Sequence, residues 1–450
     1  MQKSAQQKNP SLRISPLAIQ SLLCILSLVS LSAQAQYANL DRATTEYVAG
    51  DSAGAEWPRS IVAQVKDPSG NPIPHVSFVF AGQEVETNEK GQITLSGVPA
   101  TAPILIKKPG YRKMQVSPQH RDLEITLEPL SIQGVYLSPS FVVNNADRYV
   151  NALKLLQETE LNAVVIDVKD DDGNIHTNLK QSVAQLRSSG IYTIARIVTF
   201  KDIVAVRKHP ELGLQATNGQ PWQDAKHVTY LDPFNKQSWD YVLAVAKQAA
   251  DDGFDEIQFD YVRFPTDGNR STIVWKTLSF DKVSRTQAIA GFLERARHEL
   301  GPKGVFVAAD VFGITAYDST DSGIGQTVEA VTKYLDYACP MVYPSGFAMN
   351  SGGVIGSPVD HPGQIVEDSV RRYRMRADKD SVVRPWLQAF RDYSYNHRDY
   401  SAAEIGAQIL GSEKAKGQGF LLWNAGSKYT AAGLKPKALT VKNRLTLQNP

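Results

Sequence analysis

The chain has 450 residues, which exceeds the usual size of one core and predicts two or three folding units. Hydrophobic residues at 42% and charged residues at 21% are ordinary for a soluble globular protein, exclude a disordered or fibrous chain, and leave no internal run long and apolar enough to span a bilayer. A formal charge of only +2 gives no electrostatic footprint for nucleic acid.

Residues 1–35 read as a cleaved secretory signal. Lys3, Lys8 and Arg13 precede the apolar run LAIQSLLCILSLVSL, and Ala33-Gln34-Ala35 presents small residues where a signal peptidase reads. An uncleaved anchor is disfavoured because the run is short and Ala-x-Ala follows directly. A lipoprotein site at Cys24 is disfavoured because Leu23 precedes it. Loss of the three cations takes the net charge from +2 to −1, and Cys339 remains as the lone cysteine, so no intramolecular disulfide forms. The expected location is the periplasm or the medium, with no membrane attachment after cleavage. Residues 36–55 are a linker.

Residues 56–130 alternate apolar and polar positions, with Pro, Gly and Asn punctuation every eight to twelve residues, as in RSIVAQVKD, PSGNPIP, HVSFVF and LEITLEPL. This pattern predicts a small antiparallel β-sandwich. The D-x-x-G-x-P-I-x-x-V opening, the T-N-E-K-G-Q-I turn and the late K-P-G-Y resemble the carboxypeptidase regulatory-like (transthyretin-like) domains attached to many secreted enzymes. The segment carries no catalytic constellation.

From residue 131 to 450 the texture changes to strand followed by helix. Eight apolar runs begin near residues 134, 163, 192, 255, 305, 337, 382 and 419, separated by helical patterns such as ADRYVNALKLLQETE and VSRTQAIAGFLERARHEL. Eight such units predict a (β/α)8 TIM barrel. The last helix is the weakest, since TAAGLKPKAL contains Gly433 and Pro436. A doubly wound sheet is disfavoured because the first strand is not followed by a glycine-rich phosphate turn.

Chemistry in a barrel belongs at the carboxyl ends of strands. There the sequence places Asp167 and Lys169 on strand two, Arg196 on strand three, Asp260 on strand four and Asp310 on strand five; later strands offer Tyr343, Gln388 and Trp423 or Asn424. Period-two alternation puts Gln258 and Asp260 on one face of strand four, and Ala308 with Asp310 on the same face of strand five. Neighbouring strands lie about 4.8 Å apart, so the two carboxylates suit the roughly 5 to 5.5 Å of a retaining glycosidase, with an inverting geometry still open. Asp260 would attack and Asp310, its pKa raised by the neighbouring charge, would protonate the leaving oxygen. Arg263 would brace the nucleophile, while Asp167, Lys169, Arg196, Gln258, Tyr343, Gln388 and Trp423 would bind substrate. A strand-end aspartate is often only a cap; five polar strand ends at one mouth make the stronger case. Asp172-Gly173 reads as a turn. Trp222, Tyr230, Tyr393 and Tyr395, on long loops, are candidate sugar platforms. The histidines fall singly, so neither a metal site nor another cofactor is expected, and no G-x-S-x-G marks a serine nucleophile.

The motifs G-V-Y-L-S, V-I-D-V-K-D-D-x-G, Y-x-I-A-R-I-V-x-F-K-D, E-I-Q-F-D-Y-V-R-F-P, A-D-V-F-G and P-M-V-Y-P-S over residues 131–427 resemble a bacterial family of glycoside hydrolases whose TIM barrel is remotely like that of the alpha-amylases. The resemblance implies a nucleophile after strand four, matching Asp260, and an acid/base after strand five, matching Asp310. The chain departs from the amylase pattern in having Asp310 where a glutamate is usual and Gln258 where an arginine is usual. The substrate expected is a polysaccharide or oligosaccharide. The alternative is a polysaccharide-binding barrel of the cell envelope without turnover.

Overall fold

A computed structural model describes residues 60–99, 102–277 and 279–437. The expected signal segment 1–35 and linker 36–55 lie outside the described residues.

Seven short strands come first: β1 (Ile61–Lys66), β2 (Ser77–Phe80), β3 (Gln83–Glu86), β4 (Gln92–Leu95), β5 (Ile104–Lys107), β6 (Met114–Val116) and β7 (Asp122–Thr126). They make two small sheets, ordered β4-β1-β7 and β3-β2-β5-β6. Alternation decides their core, since Ile61, Ala63 and Val65 point from one sheet onto Phe78, Ile104 and Ile106 of the other. The expectation of antiparallel strands throughout needs correcting: β1 and β7 run parallel. The chain leaves the first sheet after β4, builds β5 and β6 in the second, and returns by a crossover, as a parallel pair requires.

The barrel strands are β8 (Ile132–Leu137), β9 (Ala163–Lys169), β10 (Tyr192–Val198), β12 (Glu256–Asp260), β14 (Phe306–Phe312), β15 (Tyr337–Val342), the pair β16 (Val382–Val383) and β17 (Trp386–Gln388), and β18 (Gly419–Trp423). All pair in parallel, and β18 returns to β8, closing the ring. Pro385 splits the seventh strand because it has no N–H to give the ladder. Two further strands, β11 (Gln215–Ala216) and β13 (Ile273–Val274), pair outside the barrel and tie together the loops after β10 and β12.

The helices are α1 (Pro139–Val143), α2 (Asp147–Glu158), α3 (Lys180–Ser188), α4 (Ile203–Lys208), α5 (Lys236–Asp251), α6 (Lys282–Leu300), α7 (Val328–Thr332), α8 (Pro362–Arg376) and α9 (Ala402–Lys414). Outward strand residues such as Ile257 and Phe259 pack on Trp239 and Phe292 of α5 and α6, with Phe259 and Phe292 ring centroids 5.1 Å apart. The expected last helix does not form among the described residues. Gly433 takes a φ of +82° and Pro436 bridges to Thr159, consistent with the breakers in that stretch.

The inner face of the barrel is a second core, built from Ile132, Val165, Ile194, Phe306, Tyr337 and Leu421. Within it the Arg384 guanidinium donates to the Glu256 carboxylate, and the Tyr192 hydroxyl adds a 3.0 Å bond to the same group. The β3-β2-β5-β6 sheet docks on the amino end of the barrel, away from the mouth. Lys107 Nζ donates to Val305 O at 2.7 Å, Lys113 Nζ to Asp255 O at 2.7 Å, and the Tyr337 hydroxyl accepts from Gly110 N at 3.0 Å. Glu84 joins the two parts, pairing with Lys107 at 3.1 Å and with Arg297 of α6 at 2.5 Å. Burial pushes the Glu84 carboxyl up, but Arg297 and Lys107 outweigh it and hold it at about 2. Its charged form is therefore favoured in the fold, and that stability is lost as pH falls below the ordinary 4.5 toward 2. Glu84→Ala strands Lys107 in the interface and is expected to cost about 3 kcal/mol, read as a lower denaturant midpoint at pH 7 and a flattened acid dependence.

Candidate active site

Strand alternation builds the mouth. On β12 the lumen-facing set is Glu256, Gln258 and Asp260; on β14 it is Phe306, Ala308, Asp310 and Phe312. Gln258 pairs in register with Ala308 and Phe259 with Ala309, so the ladder carries Asp260 and Asp310 to the same level on adjacent strands. Above them opens a cleft of about 180 Å³, lined by Asp171, Arg196, Tyr261, Arg263, Phe312, Met341, Tyr343, Trp386 and Trp423 besides the two carboxylates.

The two acids have different surroundings. Asp260 Oδ2 accepts from Arg196 Nε at 2.9 Å and Nη2 at 2.5 Å, and Oδ1 accepts from the Tyr261 backbone N–H at 2.6 Å. Charge-assisted bonds of this kind favour a carboxylate. Arg196 Nη1 also donates to Asp167 Oδ1 at 2.7 Å, and Asp167 Oδ2 accepts from the Tyr136 hydroxyl at 2.6 Å. Arg196 is thus a buried cation shared between Asp167 and Asp260, with its guanidinium 5.1 Å from the Trp423 ring centroid.

Among the described residues, no cation lies in contact with Asp310. Its Oδ1 accepts from Trp386 Nε1 at 2.6 Å, and the residue is 2% exposed. Burial, then the nearby charge of Asp260, push its pKa well above the ordinary 3.8, so it holds a proton where a free aspartate would have lost it. Burial first, and then its acidic neighbours Asp310 and Asp260, raise Tyr343 well above the ordinary 10, so it stays neutral.

Tyr261 follows Asp260 with a φ of +48°, a left-handed conformation that costs a bulky residue energy. The turn points the Tyr261 N–H back at the Asp260 carboxylate and brings the Tyr261 ring to the cleft wall, between Lys201 at 4.7 Å and Arg263 at 4.9 Å.

Asp260, Asp310, Arg196, Tyr343 and Trp423 come together in the cleft as expected, with Asp167 directly behind Arg196. Four expectations need correcting. Arg263 lines the cleft but does not brace Asp260: its guanidinium lies against the Tyr261 and Phe312 rings and donates to Phe264 O at 3.1 Å. The brace is Arg196, which faces Gln258 in register from the next strand. Gln258 itself is buried below the acids, with neither amide atom partnered among the described residues. Lys169 is fully buried away from the cleft, paired with Asp202 at 2.8 Å and donating to Val198 O at 2.6 Å. Gln388 is buried and occupied: it accepts from Ser345 N and donates to Ser345 Oγ and Phe390 O. Of the loop aromatics, Trp222 and Tyr230 are core residues of the β11/β13 excursion and Tyr395 donates to Phe347 O, which leaves only Tyr393 exposed. Asp172 sits in the expected turn.

Trp386, Tyr136, Tyr261 and Asp171 are site residues that the sequence reading missed. Trp386 and Tyr136 follow from the alternation that found Asp260; Asp171, with Oδ2 at 3.5 Å from Arg196, gives no signal beyond an acidic turn. Among the described residues no three His, Cys, Asp or Glu side chains are grouped as a metal ion would need.

The glycoside hydrolase domain of PgaB (BpsB) from Bordetella bronchiseptica shares the fold, with a TM-score of 0.50 and 15% identity over 66% of this chain and 95% of that one. A hypothetical protein from Ruminiclostridium thermocellum is 36% identical over 39% of this chain and 97% of its own, at a TM-score of 0.36. The glycoside hydrolase domain of a PelA variant from Pseudomonas aeruginosa is 12% identical, covering 67% and 98%, at a TM-score of 0.41. No curated protein gives a match. Residues 134–180 and 174–429 match the family model described as "Putative glycosyl hydrolase domain". That match runs from the first barrel strand past the last, and the chain belongs to this glycosyl hydrolase domain family.

Proposed function

We propose that the protein is an exported glycoside hydrolase that cleaves a poly- or oligosaccharide with retention, using Asp260 as nucleophile and Asp310 as general acid and then base. The observation that carries the reading is the contrast between the two acids: a carboxylate held by Arg196 beside a buried carboxyl that keeps its proton, both on the floor of one cleft. A hydrogen-bonded carboxylate beside a carboxyl of raised pKa is what acid-assisted displacement at an anomeric carbon needs. Asp260 Oδ1, free of Arg196, would attack. Asp310 Oδ2, the oxygen not taken by Trp386, would give its proton to the departing sugar oxygen. Asp310, then ionised, would draw a proton from the water that hydrolyses the glycosyl ester. Adjacent strands about 4.8 Å apart favour direct attack over an interposed water.

The deciding experiment is reducing-end release from a polysaccharide panel by the protein lacking residues 1–35. Release that Asp260→Asn abolishes supports the reading, whereas binding without release by the unaltered protein favours the non-catalytic barrel. Export rests on the three cations, apolar run and Ala33-Gln34-Ala35 of the first 35 residues. Protein recovered from the periplasm or medium is expected to begin at Gln36 on N-terminal sequencing; an intact Met1 in that fraction would count against cleavage.

A further inference from the structure

The cleft continues onto an aromatic shelf that neither acid touches. Tyr343 lines the cleft, and the Phe390 ring stands edge-on to it at 5.3 Å between centroids. Phe390 in turn lies parallel to Tyr393, with centroids 6.1 Å apart and an interplanar angle of 5°. Tyr393 is 59% exposed, whereas Trp222 and Tyr230 of the loop after β10 are buried.

The loop that carries it is firmly held. Asp392, 2% exposed, accepts from Ser345 Oγ at 2.7 Å and from the backbone N–H groups of Ser394, Tyr395 and His397 at 3.1, 2.9 and 2.9 Å. Tyr395 fastens the same loop to Phe347 O. Gly346 lies beneath Tyr393, where an added Cβ would come 3.2 Å from the Tyr393 hydroxyl. Two parallel rings fixed at the rim bind at low entropic cost, because their conformation is already set before a ligand arrives.

We infer that Phe390 and Tyr393 form a binding subsite for a further pyranose unit of the polysaccharide whose linkage lies over Asp260 and Asp310. The occupant is a sugar ring because its axial C–H groups offer a flat, weakly positive face to the negative face of an aromatic ring, and because the shelf is continuous with the cleft through Tyr343. This inference rests on the proposed hydrolase reading and deepens it: a shelf beyond the reacting linkage is useful to an enzyme of polymers and idle in one of disaccharides.

The test uses the protein lacking residues 1–35 in native gels containing starch, xylan, glycol chitin, carboxymethylcellulose or dextran, alongside reducing-end release from the same polymers. The unaltered protein is expected to be retarded by at least one polymer. Tyr393→Ala should weaken that retardation about tenfold in apparent Kd, the effect of one lost aromatic contact, while Tyr393→Phe, which keeps the ring, should restore it. The ratio of kcat/KM on the polymer to that on its disaccharide should fall in parallel. Equal retardation of Tyr393→Ala and the unaltered protein, or no retardation by any of the five, would overturn the shelf. Retardation that depends on Tyr393 without release of reducing ends would leave the shelf standing and remove the hydrolase reading.

Discussion

Replacing Asp260 by asparagine is expected to lower kcat on a cleaved polysaccharide by on the order of 10⁴-fold or more, with the protein folded and still retarded by that polymer. The size follows from the role: an amide oxygen is a poor nucleophile and cannot hold the charge that the displaced bond leaves behind. Folding should survive because Arg196 keeps a carboxylate. Asp167 Oδ1 remains on Nη1 at 2.7 Å and Asp171 Oδ2 lies at 3.5 Å from Nη2, so the buried guanidinium is not stranded. The contrasting variant is Arg196→Met, which removes the cation and leaves Asp167 and Asp260 to repel each other. It should lose activity and stability together, whereas Asp260→Asn should lose activity with little change in Tm. Residual turnover within tenfold of the unaltered protein would take the nucleophile role away from Asp260.

Most of the barrel was legible in the sequence because strand alternation and helical periodicity are local signals, and all eight strand-like runs became barrel strands. The acids were legible for the same reason: E-I-Q-F-D on β12 can bury Ile257 and Phe259 against helices only by turning Gln258 and Asp260 to the lumen. The errors came where geometry departs from strict alternation. Between β9 and β10 the register slips, so that Arg196 faces Asp167 but Ile197 faces Lys169; this bulge turns Lys169 out of the lumen toward Asp202. Gln388 does lie at a strand end, but the turn after β15 folds over it and Ser345 takes up its amide. The parallel pairing of β1 and β7 was hidden because pairing direction depends on a distant crossover rather than on either strand's own residues. Arg196 as the brace of Asp260 was out of reach for a related reason, since the contact crosses from one strand to the next over 64 residues of sequence.

The Glu256–Arg384 pair and the Asp310–Asp260 pair show how one lumen gives its acids different partners. On β12 the acids at 256 and 260 lie on one face, yet each meets a guanidinium, Arg384 at the closed end and Arg196 at the mouth. Asp310, level with Asp260 on the next strand, meets an indole N–H instead. An indole can donate one bond but carries no charge, so it orients the carboxyl without stabilising the ionised form as a cation would. Burial and the charge of Asp260 therefore keep Asp310 an acid, and the Trp386 bond, which pulls the other way, does not undo them.

This makes Asp310→Asn the second informative variant, and its effect should depend on the leaving group and on pH. On a polysaccharide, whose departing alkoxide needs a proton, kcat should fall by about 10³-fold, within the range of lost general-acid catalysis. On an aryl glycoside with an acidic phenol the first step needs no proton, so glycosylation should be nearly spared and azide, which attacks without a general base, should speed turnover. The unaltered protein should lose activity as pH rises through the Asp310 pKa, which burial and the Asp260 charge lift above 3.8, and the variant should lack that alkaline limb. Linkage has the same sign. With the folded pKa raised, the native state holds a proton that the unfolded chain has released, so the stability contributed by neutral Asp310 declines as pH rises from the ordinary value to the raised one. Asp310→Asn, neutral throughout, should flatten that decline. A variant equally crippled on both substrates, with the alkaline limb unchanged, would show that Asp310 supports the fold of the cleft rather than the departure of the sugar.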